Sequence, residues 1–277
     1  LSGTTIDLYR GLTFDEAYMK ANKTQSNGYY LMQDLNHEMC QTVAISHYST
    51  VQDIRDYHPY MISKLKDGNC WMLNNLALNP LESNVANNMN STNTNASDAA
   101  IDNYLHGGGS TQGWAVTTVS FPEGYYSSEE PIIAGLGDEL IPAYGPAATN
   151  NQAISGYDYT FCAASAGTFC WNEAEVPNDL AQISQDICPI NWELPIINEY
   201  FTLIQKYGQN AADTDSLQYN LSTTLEEGSF EAAWWSSSIN DPTYYSSVPV
   251  LKITSSSAWL DNTSFTNQLK IRCKVKS

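Results

Sequence analysis

Hydrophobic and polar positions recur with different periods along this chain, and the changes of period divide it. Thr13-Phe14-Asp15-Glu16 has the form of a capping box, in which the Thr13 hydroxyl accepts from the Glu16 backbone and the Glu16 carboxylate reaches back. It predicts a short helix through about Asn22. Tyr30, Met32, Leu35 and Met39 fall at roughly helical spacing and predict a second helix over Tyr29 to Met39. Residues 1–40 are therefore expected to form a helical amino-terminal arm. From Val43 the pattern becomes that of β structure: Tyr60, Ile62 and Lys64-Leu65 run into Asp67-Gly68 and then Cys70-Trp71-Met72. An Asp-Gly pair can take the positive φ angles of a tight turn, so this stretch predicts a hairpin.

Residues 84–113 are rich in Asn, end in Gly107-Gly108-Gly109 and carry few side chains able to fill a core, which predicts an insertion or surface loop. Short apolar runs broken by Gly and Pro over 114–161 assign no elements. After Pro195, the positions Ile197, Tyr200, Phe201 and Ile204 mark one face of an amphipathic helix, with Gly208 as its cap. The remaining β-prone segments are Trp234 to Ser237, Val248 to Thr254 and Gln268 to Val275.

Composition narrows the compartment. Charged residues make up 15% of 277, and the net charge is −18, from 12 basic against 30 acidic groups. Such a chain repels a phosphate backbone, so nucleic acid is not an expected partner. Lys270, Arg272, Lys274 and Lys276 alternate along a predicted strand and read as one solvated face. The six cysteines avoid the spacing of about two to four residues used by zinc fingers and fit a secreted disulfide set. The chain opens on Leu1, as a processed or trimmed product would, and no stretch approaches the ~18 to 20 apolar residues that span a bilayer. An export signal or anchor is expected outside these residues.

Several blocks resemble one family in the same order. Asp53-Ile54-Arg55-Asp56, Lys64-Leu65, Asp67-Gly68, Cys70-Trp71-Met72 and Asn75-Leu76 are similar to the opening of the Fibrobacter succinogenes major paralogous domain. Ile187-Cys188-Pro189, Trp192, Leu194-Pro195, Trp235-Ser236-Ser237 and Ile271-Arg272-Cys273 are similar to its later blocks. Met32-Gln33-Asp34 and Cys40 resemble the stretch that precedes the module in surface proteins of small host-dependent bacteria. Glu193 and Ile196 depart from the pattern, which has a basic residue and a small hydroxyl there. The resemblance implies an α+β, C-type-lectin-like domain over 41–277, with the Asn-rich segment inserted at 84–113, on an exported bacterial protein. It also implies pairing of Cys188 with Cys273, worth roughly 4 kcal/mol in the chain-entropy model, of Cys40 with Cys70, and of Cys162 with Cys170, worth about 2 to 3 kcal/mol.

Candidate chemistry is sparse. His37, His47, His58 and His106 fit no triad or zinc spacing, and no Gly-x-Ser-x-Gly or phosphate loop occurs. Asp213, Asp215, Glu226 and Glu227 fail the calcium-loop pattern, and Trp171-Asn172-Glu173 only distantly resembles a lectin calcium ligand set. No catalytic residue, metal or cofactor is expected. Residues 236–267 instead mix Ser, Thr, Tyr, Asn and Asp with two large aromatics, a composition that suits binding loops, because Tyr and Trp supply contact area at little entropic cost. Asn240, Asp241, Tyr244, Tyr245, Trp259, Asp261, Asn262 and Phe265 are the candidate ligand contacts, and the resemblance implies turns gathered on one face. The expected function is recognition of a protein or glycan on a host or neighbouring cell, with these loops a candidate target for retroelement-driven diversification. The alternatives are a self-assembling subunit of a surface filament or layer, and a secreted enzyme on a lectin-like scaffold.

Overall fold

The computed structural model describes residues 11–78, 80, 83–105, 159, 161–169, 182–208, 232–239, 247–254, 257–264, 267 and 269–277. Its architecture is mixed α+β, with few helices. Helix α1 (Phe14–Lys20) starts at the expected capping box: Glu16 N donates to Thr13 Oγ1 at 3.1 Å and Thr13 N to Glu16 Oε2 at 2.8 Å. The helix expected over Tyr29 to Met39 does not form. Tyr30–Leu31 is a strand, β1, paired in parallel with Val51 and Gln52; a 3-10 turn, Met32–Asp34, follows, and α2 (His37–Thr42) begins anew at Asn36, whose Oδ1 accepts from Met39 N. Tyr30, Met32, Leu35 and Met39 are all buried, so the spacing predicted which side chains turn inward while strand pairing and the Asn36 cap decided the backbone.

Strands β2 (Tyr48–Gln52), β3 (Pro59–Lys64) and β4 (Cys70–Met72) form an antiparallel meander. The β3–β4 hairpin closes through Leu65 and Asn69 around a three-residue loop in which only Gly68 takes a positive φ, 91°. Asp67 stays at negative φ and uses its carboxylate instead, accepting from Asn69 N at 3.1 Å and Trp71 Nε1 at 2.9 Å. A type I turn followed by a left-handed Gly is the usual three-residue solution.

The Asn-rich segment departs from expectation. Its described part holds α3 (Ser83–Asn88) and α4 (Asp98–Leu105), and Val85, Met89, Thr94 and Ile101 are buried. Asn side chains serve as backbone partners: Asn88 Nδ2 donates to the Ile54 and Arg55 carbonyls at 2.8 and 3.1 Å, and Asn93 Nδ2 to the Asn88 carbonyl at 2.7 Å. The glycine run and His106 lie outside the described residues.

After a short helix α5 (Phe161–Ala164), β5 (Trp192–Glu193) leads into α6 (Ile197–Tyr207), and β6 (Ala232–Trp235), β7 (Ser247–Ile253), β8 (Ala258–Ser264) and β9 (Lys274–Val275) complete the fold. The last strand returns between β4 and β5, giving a six-stranded sheet in the order β1-β2-β3-β4-β9-β5 beside a three-stranded sheet β6-β7-β8. Alternate residues enter two cores. Tyr60, Ile62, Cys70, Met72, Trp235, Val248 and Val250 join one; Met61, Trp71, Leu73, Trp234, Leu251 and Ile253 join the other, beneath α6. Helix α6 buries Tyr200, Leu203, Ile204 and Tyr207, whereas Phe201, expected on that face, is 48% exposed because it lies about 100° around the helix from Tyr200. Ile196 offers no capping oxygen, so Glu199 Oε2 and Ser238 Oγ accept from Ile196 N and Ile197 N instead, each at 2.9 Å.

Disulfides join Cys40 to Cys70 and Cys188 to Cys273, with Cα–Cα distances of 5.9 and 5.8 Å. Cys162 is disulfide-bonded too, and Cys170 lies outside the described residues. Residues 11–42 share the first core, and Trp192 Nε1 donates to the Met32 carbonyl at 2.8 Å, so this amino-terminal stretch is built into the body.

Candidate ligand-binding face

The expected carboxy-terminal turns are in part a strand. Trp259, Asp261 and Asn262 sit on β8, which pairs with β7 without a break from Ser247↔Ser264 to Ile253↔Ala258. The register follows from side-chain alternation: Ala258 and Leu260 pack toward α6, and shifting by one residue would turn them out. Trp259 and Asp261 therefore share one face, while Asn262 points to the other. Asn240, Asp241, Tyr244, Tyr245 and Phe265 lie outside the described residues. The described residues nearest in sequence to the two tyrosines and to Phe265, namely Ser247 and Ser264, are cross-strand partners about 17 Å along β8 from Trp259.

Trp259 is half-buried and lies directly opposite Lys252, whose Nζ reaches Asp261 Oδ2 at 3.1 Å. The Asn262 backbone N–H, at 2.8 Å, together with the Lys252 ammonium holds the Asp261 carboxyl below its usual range, so it stays ionised near neutral pH. An indole, an ammonium and an exposed carboxylate thus sit side by side on a sheet whose other face buries Leu251 and Ile253 beneath α6. In the order β6-β7-β8, this strand is the edge of its sheet among the described residues. Such an arrangement can stack on a planar or sugar ring, pair with charge of either sign, and accept an added strand.

Several charged groups away from this face are absorbed internally. Lys270, Arg272, Lys274 and Lys276 do not form a solvated face: Arg272 is 2% exposed and Lys274 0%. Arg272 Nε donates to Asn75 Oδ1 at 2.9 Å, its guanidinium lies 5.2 Å from the Trp234 ring centre, and burial pulls its pKa down to about 9. Lys274 Nζ meets Glu193 at 2.6 Å and Glu199 at 2.8 Å, so the acidic departure at Glu193 is the cross-strand partner of a buried lysine. Arg55 is buried against Asp53 at 2.6 Å and donates to the Ile187 carbonyl at 2.6 Å, joining the first turn of the module to the Cys188 region. Burial, then the neighbouring Asp53 charge, pushes the Asp56 carboxyl up, and burial pushes His58 down. Alternating basic residues on a terminal strand look like surface in sequence; the only hint of burial was their adjacency to Ile271 and Cys273.

Among the described residues, no group of three or more His, Cys, Asp or Glu is placed to hold a metal ion, and no helix is long and apolar enough to cross a membrane. The calcium-ligand candidates at 171–173, 213–215 and 226–227 lie outside the described residues. Two disulfides joining distant parts of the chain are consistent with an extracellular protein. No protein family, curated protein or solved structure matches this chain, so the family resemblance rests on its sequence blocks alone.

Proposed function

We propose that this chain is an exported bacterial surface or secreted binding protein of C-type-lectin-like architecture, which recognises a protein or glycan through the β7–β8 face and the segments adjoining it. The observation that carries this reading is the Trp259–Lys252–Asp261 cluster on an edge strand. Large flat contact area and fixed charge are held there by a sheet with a core on each side, so little ordering cost remains to be met on binding. Three features support the lectin-like frame: a last strand that returns beside the first hairpin, a disulfide tying the stretch before α6 to that strand, and a helix packed on a small antiparallel sheet.

The test is a glycan array and a panel of host-surface proteins probed with the purified chain, then with Trp259→Ala, Asp261→Asn and the double replacement of Tyr244 and Tyr245 by Ala. Loss of a central aromatic contact weakens binding at least about tenfold. A bound ligand whose affinity is unchanged by all three variants places recognition elsewhere. Ordered self-assembly without any ligand favours the filament-subunit alternative, in which the β8 edge pairs with another copy.

A further inference from the structure

A buried polar cluster far from the β7–β8 face has the composition of a reaction centre. Asn95, 6% exposed, is held at both ends of its amide: Lys276 Nζ donates to Oδ1 at 2.5 Å, and Nδ2 donates to Asp186 Oδ2 at 2.7 Å. Asp186, 3% exposed, also accepts from Cys188 N at 2.9 Å and Leu194 N at 3.0 Å. Backbone hydrogen bonds fix each of the three segments. Asn95 N donates to the Cys188 carbonyl at 2.8 Å, Asp186 N to the Asn95 carbonyl at 3.0 Å, and Lys276 N to the Asn191 carbonyl at 2.9 Å. The Cys188–Cys273 disulfide locks the terminal segment that carries Lys276 to the segment that carries Asp186.

We propose that this cluster is an autocatalytic cross-linking site, at which Lys276 Nζ and Asn95 Cγ join in an isopeptide bond with Asp186 as the proton carrier. Nζ, having passed a proton to the Asp186 carboxylate, attacks Cγ with its lone pair, and the carbonyl electrons move onto Oδ1. As the tetrahedral centre collapses, the Cγ–Nδ2 bond breaks, and Asp186 returns the proton to Nδ2, which leaves as ammonia. One C–N bond forms and one breaks, the remaining ammonium proton of Lys276 leaves with the ammonia, and no oxidant or cofactor enters. Burial raises the Asp186 carboxyl to about 7, so it can take and release a proton near neutral pH. Holding amine and amide together replaces an encounter in solution, an advantage that reaches about 10⁵ to 10⁸ M in effective concentration for well-oriented groups. Lys274, fully buried where Lys276 is half-buried, provides the contrast: its side-chain partners are two carboxylates and a hydroxyl, which lack an ammonia leaving group. The bond would close a loop between residues 181 apart and, unlike the disulfides, would survive reduction.

The test is intact mass spectrometry of the full chain after folding, reduction and alkylation. The expected mass is the sequence mass less one ammonia, with a tryptic species joining the Asn95 and Lys276 peptides. Lys276→Arg, Asn95→Ala and Asp186→Asn should each restore the full mass and slow migration on a reducing denaturing gel. Asn27-Gly28 can also lose ammonia by forming a succinimide, but that product is a linear peptide, so ammonia loss without the joined species overturns the proposal. The full sequence mass in folded wild-type protein overturns it as well, whatever the variants do.

Discussion

Replacing Lys274 by Met is the sharpest test of how the last strand is threaded. The Lys274 ammonium is out of water and makes four contacts: Glu193 Oε1 at 2.6 Å, Glu199 Oε1 at 2.8 Å, Ser277 Oγ at 2.9 Å and the Val275 carbonyl at 3.3 Å. Met fills nearly the same volume, so the packing of β9 between β4 and β5 survives, but two carboxylates lose the charge that compensated their burial. Removing one partner of a buried ion pair costs about 3 to 5 kcal/mol. Here the Glu193 and Glu199 side chains keep 27% and 19% of their exposure, which places the expected loss near the lower end, ~3 kcal/mol. Replacing Lys274, Glu193 and Glu199 together by Met, Leu and Gln removes the stranded charge and should recover most of that loss. Urea unfolding with the disulfides intact, read from the midpoint at constant slope, measures both variants. A loss below about 1 kcal/mol for Lys274→Met would mean a solvated ammonium, as at a surface pair, and would refute the threading of β9 through the sheet.

Two further outcomes are expected. Replacing Cys188 and Cys273 together by Ala releases a loop of 85 residues and should cost about 4.5 kcal/mol in the chain-entropy model, and a shift in denaturant midpoint equivalent to less than about 1 kcal/mol would refute that coupling. Asp56, Asp186 and Glu199 are raised by burial, so between the unfolded carboxyl range near pH 4 and their raised folded values the native state holds protons that the unfolded chain has released. Stability should therefore fall as pH rises from about 4 to 7, by up to ~4 kcal/mol from Asp186 alone, and a thermal-melt series that instead climbs steadily over this window would contradict the burial of these carboxyls.

The sequence by itself determined those features whose partners lie within a few residues: the Thr13–Glu16 capping box, the turn at Asp67-Gly68, and the apolar arc of α6 with Gly208 at its end. The cysteine pairings at 40–70 and 188–273 were legible only through the family-like blocks around them. Tertiary structure decided the rest, because burial and strand pairing depend on what arrives from elsewhere in the chain. Tyr30-Leu31 is a strand because Val51 and Gln52 lie beside it, and Trp259 and Asp261 are a strand face because β7 is there to pair. Arg272 and Lys274 could leave water only where Asn75, Glu193 and Glu199 supply hydrogen bonds and opposite charge in return. Those partners lie about 75 to 200 residues away along the chain, a separation that no local pattern encodes.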